Sequence, residues 1–116
     1  MSNDLSFTDY QLASGETAIY PRSGSGDIVA VSYCALGLGE TGEVQGKVKK
    51  IIRDNAGVIT DEVRKEIGKE LGDVLWYVSQ LASELDLSLE QIAQGNLDKL
   101  NSRKERGVLT GSGDNR

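Results

Sequence analysis

The sequence predicts an all-α fold: an antiparallel bundle of about four helices, with a core completed by oligomerisation. Three observations carry this. Apolar residues recur at spacings of three and four, as in Ile67, Leu71, Val74, Leu75, Val78, Leu81, Ala82 and Leu85, the stripe of a helix buried on one side. No alternation of period two reaches a useful strand length, and there is no internal repeat. Finally, 116 residues with 38% apolar and 5% aromatic content allow one domain, residues 1–116, but only a thin core, so burial against a second copy is expected.

The elements follow in order. A first helix is expected over Ser6 to Thr17, with Ser6 as cap and Leu5, Leu12 and Ala13 as its apolar residues. Tyr20-Pro-Arg-Ser-Gly-Ser-Gly26 is a loop by its Pro and Gly content. Asp27 is the N-cap of a second helix, read as continuous from Ile28 to Arg53, and Asn55-Ala56-Gly57 is a turn. Thr60 caps the third, from Asp61 to Leu85, and Asp61 and Glu62 suit its positive end. The fourth opens on Ser88-Leu89-Glu90-Gln91, a capping box, carries Ile92, Leu97 and Leu100, and stops at Gly107. The tail, 108–116, is polar and expected to be flexible.

Composition excludes several functions. A formal charge of -5 argues against a basic face for nucleic acid. No apolar run approaches the roughly 20 residues that span a bilayer, and the polar N-terminus MSNDLSFTDY shows no leader. A single cysteine, Cys34, rules out an internal disulfide framework, reads as a small buried hydrophobe, and with the missing leader points to the cytoplasm. There is no histidine. That removes Ser-His-Asp and Cys-His catalysis, the usual zinc hydrolase sites and the Glu-x-x-His motif of di-iron bundles. Carboxylates, metal ions or lysines must carry any chemistry.

The carboxylates are arranged for it. Glu40-Thr-Gly-Glu43 and Glu70-Leu-Gly-Asp73 each place two acids on one helix face. Alone, such a pair also occurs as an ordinary solvated face. The two motifs, however, are symmetric about Ala56 and Gly57 in the expected turn. An antiparallel hairpin brings both to one level, each roughly 16 Å of helix from the turn. Like charges that close are unfavourable unless a cation lies between them. Magnesium, with manganese as a substitute, takes such hard oxygen ligands together with phosphate oxygens. Four carboxylates suit two or more such ions and a polyphosphate substrate. Gly42 and Gly72 lie inside the motifs, where each helical glycine costs about 1 kcal/mol. They would admit either a phosphate ligand or a tightly packed helix. Lys47, Lys50, Lys99, Arg103, Lys104 and Arg106 are candidates for outer phosphate contacts, although ion pairs and the favourable C-terminal helix end account for them equally. Trp76, one turn after Asp73, reads as a base-stacking or a core residue.

At these residues the sequence resembles the MazG-like nucleoside triphosphate pyrophosphohydrolases, an all-α superfamily that includes dimeric dUTPases and phosphoribosyl-ATP pyrophosphatases. GETGEVQGKVKK, KELGDVLWYV and NLDKLNSRKERG carry the resemblance, and TAIYP and the closing GSGDNR extend it over nearly the whole chain. It implies a homodimer or homotetramer and magnesium-dependent hydrolysis of an NTP or dNTP to monophosphate and pyrophosphate, for pool cleansing or homeostasis. By resemblance Glu40, Glu43, Glu70 and Asp73 are metal ligands and Lys99 and Arg103 contact phosphate. Asn96 shares their helix, and Trp76 matches an aromatic position. Two positions depart from the pattern: Gly39 where some members have a second acid, and Glu66 where some have lysine. Glu40 or Glu43 then aids deprotonation of the water, and Glu66 is a candidate outer ligand. Alternatives are a dUTPase-like or phosphoribosyl-ATP activity, or a non-catalytic helical oligomerisation module.

Overall fold

Helices begin where a side-chain oxygen meets their first unpaired backbone N–H groups. The computed structural model describes residues 4–116; the first three, part of the stretch read above as lacking a leader, lie outside it. Ser6 caps α1 (Phe7–Ser14), and Asp9 completes the capping box. A 3₁₀ turn, Gly15–Thr17, follows. Asp27 accepts from the N–H groups of Val29 and Ala30 at the start of α2 (Ile28–Gly37). Thr60 accepts from Val63 at the start of α4 (Asp61–Glu84). Ser88 accepts from Gln91 at the start of α5 (Leu89–Glu105). Among the described residues all regular structure is helical.

The continuous second helix expected over 28–53 is instead two. It breaks at Leu38 and Gly39, and α3 (Glu40–Asp54) starts afresh. Across the break the backbone tightens to 3₁₀ bonding: Leu38 donates to Ala35, Gly39 to Leu36, Thr41 to Leu38 and Gly42 to Gly39. Packing beside the break is tight: a Cβ on Gly37 would fall inside van der Waals contact of the Tyr77 ring. By contrast a Cβ at Gly42 or Gly72 meets nothing within 4 Å, so close packing in this chain does not explain those two glycines. Gly37→Ala is expected to cost about 1–3 kcal/mol by overpacking. Gly42→Ala should instead raise stability by about 1 kcal/mol. Thermal melts of the two variants check this; a stabilised Gly37→Ala would disprove the contact.

The turns are set by left-handed residues. Ala56 (φ 53°) and Gly57 (φ 78°) reverse the chain between α3 and α4, with the Gly57 N–H donating to Ile51 at 3.0 Å. Gly107 (φ 71°) ends α5, and Val108 closes that helix end by donating to Arg103 at 2.8 Å.

The long α4 is the axis of the fold. α1, α2 and α3 pack along it, and α5 touches α1 and α4. The core holds Tyr20, Ala30 and Cys34, with Ala18, Trp76 and Leu81 against it; Cys34 is buried and free. Beside it runs a polar seam: Ser14 and Ser79 share a hydrogen bond of 3.0 Å and Gln80 donates to Ser14 at 2.7 Å. The radius of gyration is 17.2 Å, against about 13 Å for a compact chain of this length. Val48, Ile52, Leu71, Leu97 and Leu100 stay exposed.

Candidate metal centre

The break before α3 has a chemical consequence. It places Glu40 and Glu43 in the first turn of a new helix, where the positive end of the helix dipole offsets part of their mutual repulsion. The expected hairpin register is present: Lys47 of α3 reaches Glu66 of α4 at 3.6 Å, and these two residues are symmetric about the same turn as Glu40 and Asp73.

Carboxylate oxygens of Glu40, Glu70 and Asp73 lie within 4.8 Å of one another, with Glu40 and Glu70 half-buried and Asp73 exposed. Among the described residues, none of the ion pairs engages these acids. The Glu40 carboxyl is accordingly held above its ordinary value, by desolvation first and then by the charges of Glu70, Asp73 and Glu43 and a hydrogen bond with Glu70. Three hard oxygen donors with uncompensated charge fit a divalent cation.

Other expected site residues are placed differently. Glu43 is exposed and lies outside the three-acid group. Trp76 packs, partly buried, against the core cluster: its indole N–H donates to Thr17 at 2.9 Å, and it meets Tyr20 and Tyr77 edge-on. Asn96 is exposed on α5. Lys99 pairs with Asp114 at 3.2 Å. Arg103 is buried beneath the tail, its Nη2 donating to the Asp114 side chain at 3.2 Å and to the Asp114 and Gly113 carbonyls. The tail is therefore docked on α5. Side-chain hydrogen bonds from α5 to the helical body occur at its first turn, where Gln11 receives the Leu89 N–H and Thr8 donates to Glu90. The cations further along α5 are not joined to the acids within one chain by any hydrogen bond or ion pair among the described residues.

Two tyrosines beside the acids escaped the motif reading. The Tyr77 hydroxyl is pushed up by burial, then by Tyr33, Glu40 and Asp73. Tyr10 is pushed up by burial and then by Asp73. Tyr77 was discoverable, because it follows Asp73 by one helical turn; nothing in the spacing marks Tyr10.

The family model of the MazG nucleotide pyrophosphohydrolase domain matches residues 30–108. The chain belongs to the MazG nucleotide pyrophosphohydrolase family. The matched span holds both acidic motifs and all of α5, so the three-acid group lies within the MazG domain. The chain is also 58% identical over 109 residues to the Gene 37 protein of Mycobacterium phage L5, covering 92% of this chain and 96% of that protein. No solved structure matches. Membership in MazG supports nucleotide pyrophosphohydrolysis as the class of activity. Among the described residues no helix is long and apolar enough to cross a membrane.

Proposed function

We propose that this protein is a magnesium-dependent pyrophosphohydrolase that converts an NTP or dNTP to the monophosphate and pyrophosphate, in nucleotide pool cleansing or homeostasis. The observation that carries the reading is the approach of the Glu40, Glu70 and Asp73 oxygens to within 4.8 Å of one another inside a MazG domain.

Glu40, Glu70 and Asp73 would hold the cation, with Glu43, one turn along α3, as a fourth ligand. Magnesium, or manganese in its place, supplies neutralising charge for phosphate oxygens and acidifies a water at the α-phosphate. The chain's own residues do the rest. Glu40 or Glu43 aids removal of a proton from the attacking water. Lys47, at the next turns of α3, and Asn96, Lys99 and Arg103 on α5 receive the leaving pyrophosphate. Trp76 supports the base side by packing rather than by free stacking.

That no hydrogen bond or ion pair joins the α5 cations to the acids among the described residues supports a homodimer or homotetramer in which cations and acids of different copies meet. The expanded radius of 17.2 Å and the exposed Val48, Ile52, Leu97 and Leu100 support that assembly. A cytoplasmic site of action, without nucleic acid or membrane as partner, fits the charge of -5 and the single thiol.

The deciding experiment is pyrophosphate release from a panel of standard and damaged NTPs and dNTPs, dUTP and phosphoribosyl-ATP included, with and without magnesium. Chromatography checks that the matching monophosphate forms. Metal-dependent release with monophosphate supports the reading, and no release from folded protein overturns it. A simpler measurement precedes it. Magnesium should raise the melting temperature, stabilising by about 2.7 kcal/mol at a hundredfold excess over its dissociation constant. A flat response to magnesium and nucleotide would leave a non-catalytic helical module.

A further inference from the structure

The C-terminal segment was expected to be flexible, yet it is folded into a clip on α5. Arg116 closes the clip on itself, its Nε donating to the Val108 carbonyl and its Nη2 to the Leu109 carbonyl, each at 3.1 Å. Arg106 holds the end by donating to the Arg116 carbonyl oxygen at 2.9 Å. Gly111 and Gly113, at φ 113° and 87°, take backbone conformations that side-chain-bearing residues resist. One side chain ties the clip to the two cations: Asp114 Oδ1 accepts from Lys99 Nζ and from Arg103 Nη2, both at 3.2 Å.

We propose that this clip is a latch, with the Asp114 carboxylate standing where a substrate phosphate oxygen binds, and that phosphate displaces it. The inference rests on the reading above that α5 receives phosphate, and it deepens that reading. Two features favour displacement over a permanent brace. Arg103 is 4% exposed, so no phosphate reaches its guanidinium while the clip is down. Its Nε is buried with no hydrogen-bond partner. A guanidinium offers a fork of donors matched to two oxygens at once. Here the carboxylate takes Nη2 alone and leaves the Nε unmet. A phosphate, with several terminal oxygens, can take both sides of the fork and Lys99 as well.

The Asp114 side chain is 83% exposed and that of Lys99 40%, so water competes for the Lys99–Asp114 pair, whereas the bonds to the buried Arg103 are ones an incoming phosphate has to replace. Lys99 and Arg103 hold the Asp114 carboxyl below its ordinary value, so it is charged at neutral pH and competes as an anion. The latch keeps the buried arginine paired in the resting protein and yields to a ligand of higher charge.

The test uses the full chain and inorganic pyrophosphate with magnesium, followed by titration calorimetry. Asp114→Asn keeps the shape of the clip and removes its charge. The latch predicts that this variant binds pyrophosphate about fivefold more tightly, because a closed state without its carboxylate competes less for the binding-competent population. It also predicts faster amide hydrogen exchange over Gly111 to Arg116 in the parent chain when pyrophosphate is bound. Weaker or unchanged binding by Asp114→Asn, or unaltered exchange, overturns the latch; weaker binding would make Asp114 a positioning residue for the cations. Lys99→Met separates the two levels of the argument. If it leaves pyrophosphate affinity intact, the assignment of α5 to phosphate fails. If it weakens binding while Asp114→Asn does not tighten it, only the latch fails.

Discussion

Glu70→Gln is expected to lower turnover by on the order of 10²- to 10³-fold, the scale seen when one preorganised electrostatic group is lost from an active site. The helical fold should survive, because Glu70 is half-buried in a group of like charges and glutamine keeps its shape while removing repulsion. The cation-free variant should therefore melt no lower than the parent. Magnesium should no longer raise its melting temperature as it does that of the parent. This combination separates a ligand from a structural residue: a structural role would lower the melt and leave the magnesium response in place. Glu43→Gln extends the test to the acid that lies outside the three-acid group. With the fold retained, loss of turnover would establish Glu43 as a ligand brought in when the cation is bound. Undiminished turnover in both variants would sink the proposed site.

Both variants were legible from sequence, and the reason is geometric. Acids three apart share a helix face whatever the tertiary context, and the equal distances of the two motifs from Asn55-Ala56-Gly57 require only that the turn be a turn. The cap residues Ser6, Asp27, Thr60 and Ser88 were readable for the same local reason. The break at Leu38 and Gly39 was not. The apolar period runs on across it, and the Tyr77 ring that fills the place of a Gly37 Cβ beside it is a contact between residues far apart in sequence. The tail misled for a related reason. A polar, glycine-rich segment reads as mobile, but its own Arg116 and Asp114 tie it down through bonds that composition does not encode. Trp76, read either as a stacking or as a core residue, packs partly buried against the core and bonds Thr17, a partner that spacing along α4 could not name.

The same blindness hid Glu84, and it carries the largest stability prediction. No motif marks it in the sequence, yet it is 7% exposed. Its Oε1 accepts from the Gly26 N–H at 2.9 Å. Its Oε2 accepts from the Gly24 N–H at 2.9 Å and from the Tyr20 hydroxyl. The carboxylate thus replaces the backbone partners that the loop 20–26 lacks. Glu84→Ala leaves one buried and two part-buried donors without their acceptor and should cost about 3 kcal/mol, or about 10 °C in melting temperature. Glu84→Gln should fall between, since its carbonyl oxygen keeps one acceptor while its amide faces another donor. The pH dependence follows from the shift. Burial alone would raise the Glu84 carboxyl, but the bonds from Tyr20, Gly24 and Gly26 outweigh it and hold the group below its ordinary 4.5. A carboxyl depressed in the folded state stabilises above its unfolded value, and that stability disappears as pH falls through the folded one. The parent should therefore lose stability on the acid side of 4.5, and Glu84→Ala should lose less there because it has already forfeited the contribution. The effect should also reach the candidate metal centre. Tyr20 stacks on Tyr33 at 5.2 Å and Tyr33 meets Tyr77 at 6.4 Å, and Tyr77 lies against Gly37, just ahead of Glu40. A Glu84→Ala protein that melts with the parent and shows the same acid limb would show that this loop is held by other means.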